Sequence, residues 1–390
     1  MRPLTMDPAT TRLAKGVGVA LAGWAVASLG IGSPGGHPVF IYGVTALLCI
    51  GLYGSVHGIS RETVAADVKT VILAVTVGVL LKTALIAAVM FLFFGEPGVI
   101  LLGLAVAQID PLSVSALIRH ARMSKRAKAL LLAWASFDDP ITALLTIYLS
   151  SLVLGQTGGG GIGDYLKNLG LNLIFAGAVF GVWLPAHRWL KSRRTRPGLI
   201  RLVSAVVLIG LLAFATAEFL VLGIALIGLF FRPDLGELLD RAIAAAFYLA
   251  TFAMGTLLVA GIEPGMALVL GVAAFASQIV VGGLLITRGL PTRDRVSLAL
   301  GQQNGITAIL LALTLAPSYP QAVAVIAPAV LVINVLHTTA NAGWHKLLRV
   351  APTSARLSEP AARVHRALGL VHPAAWSAHP APERAQEPPR

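Results

Sequence analysis

Long apolar stretches alternate with short polar connections over most of the chain. Stretches such as residues 68–94 are dominated by Leu, Ala, Val and Gly, without the period-two alternation that indicates β-strands. About 20 apolar residues in a helix cross a bilayer core that is roughly 30 Å thick. Backbone groups in lipid need hydrogen-bond partners within the protein, and a continuous apolar run satisfies them by forming a helix. The pattern therefore predicts an all-α integral membrane protein.

Twelve stretches are long enough to count as transmembrane helices, and a count of thirteen stays open because boundaries are uncertain by about two to four residues. The first six cover residues 14–32, 38–54, 69–94, 98–118, 127–153 and 168–187. The last six cover residues 199–215, 217–231, 242–260, 265–287, 297–316 and 322–343. We therefore expect a cytoplasmic N-terminus (1–13), a transmembrane domain (14–345) and, from its Pro, Ala, Arg, His and Glu content, a disordered cytoplasmic tail (346–390).

Positive charge collects in alternate connections when the twelve helices are threaded in order. Two of these connections contain Arg119, Arg122, Lys125, Arg126 and Lys128, and Arg188, Lys191, Arg193, Arg194 and Arg196. The connections on the other side are nearly free of basic residues. Because cytoplasmic loops are enriched in Lys and Arg, this alternation predicts a multi-pass protein of the cell (plasma or inner) membrane with both termini cytoplasmic.

Composition excludes several classes of function. The chain has 390 residues, of which 56% are hydrophobic and only 12% charged, and its mean hydropathy of +0.82 is outside the range of soluble domains. The net charge of +13 is spread over short connections, so we expect membrane lipid as a partner and no nucleic acid. The single cysteine, Cys49, allows neither an intrachain disulfide nor a cysteine-based metal cluster.

Three aspartates lie inside predicted spans. Asp110 is in the fourth span, and Asp138 and Asp139 are adjacent in the fifth. Each carboxylate near the centre of a membrane helix costs about 2.5 to 3.5 kcal/mol, so the adjacent pair would cost about 5 to 7 kcal/mol without a compensating partner. Water, a cation or protons must therefore neutralise them.

A proline follows each of these acidic sites. Pro111 would leave the carbonyl of Ala107 without its helical donor, and Pro140 would do the same for Ser136. Carboxylates and carbonyl oxygens together suit a hard cation, and broken helices near the midplane are where secondary transporters hold coupling ions. We therefore predict helix breaks at both prolines and a site at which a cation and protons compete.

The order of these motifs resembles the monovalent cation:proton antiporter superfamily, which includes the sodium/proton exchangers. The similarity rests on Asp110-Pro111, the basic segment 119–128 and Phe137-Asp138-Asp139. Weaker similarities are Ala217-Glu218-Phe219-Leu220 with Gly228-Leu229, residues 247–255, and Gln302-Gln303-Asn304-Gly305. Together they cover most of the chain before the tail.

The resemblance implies a fold of inverted repeats with two crossed, unwound helices, and a homodimer. Asp139 would bind the cation and the proton, Asp138 would be its partner, and Asp110 would belong to the unwound crossing. Asn304 and Gly305 would mark the matching break in the second repeat. Residues expected to support the site are Ser136, Ala107, Gln108, Gln278 and Asn304.

Two positions depart from the pattern of that superfamily. Relatives often carry Lys or Arg in the tenth span, where this chain has residues 276–278 without a basic side chain. Relatives with an Asn-Asp pair often carry Glu where this chain has Trp134. Asp138 is therefore expected to lack an evident ion partner, and the Asp-Asp pair does not define the stoichiometry of exchange.

The function predicted from these observations is exchange of Na⁺, Li⁺ or K⁺ for protons by alternating access, with no cofactor other than the transported ions and no enzymatic activity. One alternative is an organic anion symporter of the same fold, which would need a basic pocket, and no central Lys or Arg is expected in the spans. A remote alternative is an intramembrane aspartyl protease using Asp164 of Gly161-Ile162-Gly163-Asp164, which lies in a predicted outer loop.

Overall fold

The computed structural model describes residues 8–30, 38–57, 68–110, 114, 123–153, 162–192, 197–286, 289–301 and 304–350. Contacts divide the chain into two units, 1–341 and 342–390, and the described part of the second is the end of one helix. Within the described ranges every regular element is helical, so the predicted all-α membrane fold is confirmed. Of the predicted tail (346–390), residues 346–350 belong to a helix that ends at Val350, and the part from 351 onward lies outside these ranges, as does Pro111.

Seven helices form the first half of the described chain. They are α1 (Pro8–Ser28), α2 (Pro38–His57), α3 (Val68–Leu73, a π-helical segment Ala74–Gly78, then Val79–Phe94), α4 (Val99–Val106), α5 (Lys125–Val153), α6 (Ile162–Ser192) and α7 (Pro197–Ala217). The first helix thus begins six residues before the predicted span at 14–32. Helix α6 likewise begins six residues before its predicted span, whereas α2 and α7 begin and end within three residues of theirs.

Six helices follow in the second half. They are α8 (Val221–Ile227), α9 (Glu237–Leu257, extended by a 3₁₀ turn, Leu258–Ala260), α10 (Pro264–Gln278, continued by a π-helical segment, Ile279–Ile286), α11 (Thr292–Ala299), α12 (Ile306–Leu315) and α13 (Ala322–Val350). The π-helical segments of α3 and α10 contact each other.

Eight described helices are long and apolar enough to cross a membrane, and α1 contains a shorter apolar segment, Lys15–Ser28. The predicted eighth span, 217–231, was wrong as a continuous helix, because α8 has only 7 residues. The predicted span at 297–316 is divided between α11 and α12, and in the span at 98–118 helix α4 ends at Val106. Apolar composition predicts that a segment lies in the membrane, but not whether its helix is continuous.

Helix α5 lies at the centre of the bundle. In its most apolar window 72% of the residues are buried, against 11% in α6 and α7, which expose apolar side chains. It packs against α2, α3, α4, α8 and α12. Among the eight long apolar helices α5 is therefore the most buried, and this position holds the acidic pair.

Candidate functional site

Asp138 and Asp139 lie at the midpoint of α5, and both are fully buried. The helix runs through Pro140 without interruption, so the predicted break at that proline is wrong. A proline removes one helical hydrogen bond, but in membrane helices neighbouring helices and Ser or Thr hydroxyls can compensate. Here the compensation comes from tertiary packing, because α5 is packed against α2, α3, α4, α8 and α12.

Asp138 is paired with Lys82 of α3. Lys82 Nζ lies 2.9 Å from Asp138 Oδ2, and both side chains have no exposed surface. The backbone N–H of Ile109 donates to the same oxygen at 3.1 Å. The expectation that Asp138 lacks an ion partner was therefore wrong, as was the expectation that the spans contain no central basic residue. Since Lys82 neutralises Asp138, this aspartate is poorly suited to act as a ligand of a transported cation.

Trp134 also takes part in this pairing. Its ring lies under Lys82, with Nζ 5.3 Å from the ring centroid. A cation over an indole ring is attracted by the electron-rich face, and the attraction grows when water is excluded. Trp134 thus places a neutral side chain against a buried ammonium group, at the position where the superfamily resemblance led us to expect Glu.

Asp139 has a different environment. Thr307 Oγ1, from α12, donates to Asp139 Oδ2 at 2.7 Å, and Ser55 Oγ, from α2, reaches the same oxygen at 3.5 Å. Asp139 Oδ1 has no hydrogen-bond partner among the described residues. The carboxylate is therefore buried, surrounded by two hydroxyl oxygens, and not paired with a basic side chain in the part of the chain that the structure describes.

The two interrupted helices meet beside these carboxylates. Helix α4 ends at Val106, and residues 107–110 continue in non-helical conformation. The second interruption separates α11 from α12, and its residue Asn304 donates from Nδ2 to the carbonyl oxygen of Val106 at 3.0 Å. Asp110 is 3% exposed at this crossing. An amide of one break thus donates to a carbonyl at the end of the helix that precedes the other break.

Gly305 packs directly on Asp110. A Cβ atom at position 305 would overlap both the carboxyl carbon and Oδ2 of Asp110. A side chain at position 305 therefore does not fit unless Asp110 shifts. The close approach of the two breaks depends on this missing side chain.

We expect Gly305→Ala to lower the thermal stability of the purified protein, because overpacking a buried site costs about 1 to 3 kcal/mol. We also expect cation-dependent proton movement to fall about tenfold, since Asp110 must shift. Gly210→Ala on α7, where a Cβ atom would have open space, is the matched control and should change neither property. Equal behaviour of the two variants would contradict the steric argument.

The other residues predicted for the site occupy less direct positions. Ala107 and Gln108 are buried in the segment after α4, whereas Ser136 Oγ donates to the carbonyl of Leu132 within its own helix at 2.8 Å. Gln278 Nε2 donates to the carbonyl of Leu298 at 3.3 Å and so connects α10 to α11. Asp164 is the third residue of α6 and precedes the apolar window of that helix, not the deep position that a protease would need.

Sequence reasoning missed Lys82, Ser55 and Thr307. Lys82 carried a usable signal, because a lysine inside an apolar span costs as much as an aspartate and requires a partner. Serine and threonine are common in membrane helices, so the two hydroxyls carried none. Among the described residues, no group of three or more His, Cys, Asp or Glu side chains could hold a metal ion together, so a cation at Asp139 would need hydroxyl or carbonyl oxygens as additional ligands.

Comparison with known proteins bears on the fold. No family model and no curated protein matches the sequence. Two solved structures of the sodium proton antiporter MjNhaP1 from Methanocaldococcus jannaschii are similar in three dimensions. The structure at pH 8 is 17% identical in sequence, with a TM-score of 0.62, and the match covers 84% of this chain and 92% of the antiporter chain. The electron-microscopy structure is 16% identical, with a TM-score of 0.63, and the match covers 88% of this chain and 95% of the antiporter chain. The chain therefore has an antiporter fold.

Proposed function

We propose that this protein exchanges a monovalent cation for protons across the membrane, and that Asp139 binds the two ions alternately. The observation that carries the proposal is the contrast between two adjacent buried carboxylates. Asp138 is neutralised by Lys82, whereas Asp139 is contacted only by hydroxyls among the described residues. A buried carboxylate without a basic partner needs a proton or a cation to neutralise it, and binding of one displaces the other.

The surroundings of Asp139 fit a small hard cation. Ser55 can donate its single hydrogen to the carbonyl oxygen of Gly51 at 2.9 Å and offer a lone pair to a cation. Thr307 can turn a lone pair toward the cation once the carboxylate no longer accepts its hydrogen. These residues lie on α2 and α12, so the ion would be held between three helices. Movement of α12 relative to α5 would then alter the number of ligands, which is what alternating access requires.

The antiporter fold supports the proposal, since MjNhaP1 is a sodium proton antiporter. We also propose, from the pattern of basic residues, a protein of the cell membrane with cytoplasmic termini and, from the superfamily resemblance alone, a homodimer. The organic anion alternative gains no support from Lys82, although the residue is central, because the ion pair with Asp138 leaves no free positive charge there for an anion.

The direct test is an ion-flux assay in everted vesicles or proteoliposomes that contain the protein. A proton gradient is formed and followed with a pH-sensitive dye, and Na⁺, Li⁺, K⁺ or choline is then added. We expect at least one of the alkali cations to collapse the gradient while choline does not. A gradient that collapses without an alkali cation, or one that none of these cations affects, would contradict cation/proton exchange.

A further inference from the structure

The break between α11 and α12 is held by side chains of α13. The backbone N–H of Asn304 donates to Asn334 Oδ1 at 3.0 Å, and Asn334 Nδ2 donates back to the carbonyl oxygen of Asn304 at 2.9 Å. A residue outside a helix loses its helical partners for both backbone groups, and in a membrane it cannot replace them with bulk water. The side-chain amide of Asn334 replaces both partners at once.

A second asparagine acts at the other end of the same break. Asn341 Nδ2 donates to the carbonyl oxygen of Leu300, the residue that follows α11, at 2.7 Å. Residues 334 and 341 are seven positions apart, which places them on one face of α13 about two turns from each other. One face of α13 thus presents two amides to the two ends of the interruption at 300–305.

The pairing with Asn334 extends to the proposed ion site. Asn304, whose backbone is held by Asn334, donates from its own side chain to Val106 in the other break. Three residues further along, Thr307 donates to Asp139. The position of Thr307 and the contact between the two breaks therefore both depend on where the backbone of residue 304 is held.

We propose that Asn334 is a positioning residue of the transport site. It holds the backbone of Asn304 so that Thr307 reaches Asp139, and Asn341 supports it by holding Leu300. Asn334 does not touch the ion and acts through Asn304 and Thr307. The link to transport rests on the proposed function, but the link to the geometry of the break does not.

Two variants of Asn334 separate its hydrogen bonds from its shape. Asn334→Leu keeps a similar volume but neither accepts nor donates. Asn334→Asp keeps the acceptor for the N–H of Asn304, and it regains a donor for the carbonyl of Asn304 only when its carboxyl group is protonated. The matched control is Thr339→Ala on the same helix, because Thr339 is exposed and its hydroxyl bonds only to carbonyls of α13.

The first measurement is hydrogen exchange of the amide of Asn304 in the purified full-length protein. We expect exchange to become about tenfold faster in Asn334→Leu, because a backbone hydrogen bond is lost. Asn334→Asp should keep the amide of Asn304 about as protected as in the wild-type protein, measured in parallel at the same pH, because its carboxyl group still accepts from that N–H. Thr339→Ala should match the wild-type protein. Unchanged exchange in the leucine variant would overturn the proposal.

The second measurement is the kinetics of cation-dependent proton flux. We expect Asn334→Leu to raise the KM for the cation about tenfold and to change the maximal rate less, since the ion ligands are misplaced but still present. An unchanged KM together with faster amide exchange would also overturn the role in transport. Failure of the wild-type protein to carry any cation would instead contradict the proposed function, and the exchange data alone would still decide whether Asn334 holds the break.

Discussion

Asp139→Asn is expected to abolish cation-dependent collapse of a proton gradient, lowering the rate about a hundredfold or more. The amide has the size of the carboxylate and can still accept a hydrogen bond from Thr307, but it has no negative charge to bind a cation and cannot release a proton. Removing one member of a buried charge pair costs about 2 to 5 kcal/mol, and each 1.4 kcal/mol is about a tenfold change in binding. The measurement is the dye assay in vesicles with equal amounts of each protein.

The control for this variant is Asp234→Asn. Asp234 has the same side chain but is exposed, with its partner Arg201 also exposed, so its replacement should leave the flux unchanged. For the wild-type protein, competition at one carboxylate also requires the KM for the cation to rise as pH falls, because protons then occupy Asp139 more often. Transport by Asp139→Asn at the wild-type rate, or a KM that is independent of pH, would contradict the assignment.

Lys82→Met is expected to destabilise the protein by about 3 kcal/mol or more, because it leaves the carboxylate of Asp138 buried without its counter-ion. The loss should be smaller at low pH, where a proton can neutralise Asp138 in place of the lysine. The measurement is thermal unfolding of the purified protein at several pH values. Lys69→Met, which changes an exposed lysine of the same helix, is the matched control and should have little effect.

A double variant distinguishes the ion pair from the packing of Lys82. Asp138→Asn combined with Lys82→Met removes both charges and keeps an oxygen that can accept from the N–H of Ile109. Replacing both members of a buried pair with neutral groups is often close to neutral for stability. We therefore expect the double variant to recover most of the stability lost in Lys82→Met. No recovery would show that Lys82 stabilises the bundle through packing alone.

The length and continuity of the apolar runs were sufficient to predict the class of fold, because a chain in lipid can adopt only a few backbone structures. The same reasoning located Asp138 and Asp139, since a charge inside an apolar run is conspicuous. It failed at Pro140, where the local effect of proline was considered without the helices that pack around α5. Local propensities indicate how much a residue destabilises a helix, whereas tertiary contacts determine whether the folded protein compensates for that destabilisation.

The partners of the acidic pair were harder to predict. Ser55 and Thr307 are 84 and 168 positions away from Asp139, so only the folded chain shows that they meet. The break near Asn304 was expected from the resemblance alone, because nothing in the composition of that segment distinguishes it from a continuous span. Lys82 is the one partner that charge alone could have indicated, as a second unneutralised group in an apolar stretch.

The π-helical segment of α3 has a bearing on how Lys82 finds Asp138. Residues 74–78 form a wide turn with hydrogen bonds from i to i+5, and Lys82 follows it by about one helical turn. If the same residues formed an ordinary α-helical turn with none removed, every later side chain of α3 would be rotated by about 100° about its axis. The ammonium group would then point away from α5. The meeting of these two charges is therefore set by the wide turn that precedes the lysine as much as by the lysine itself.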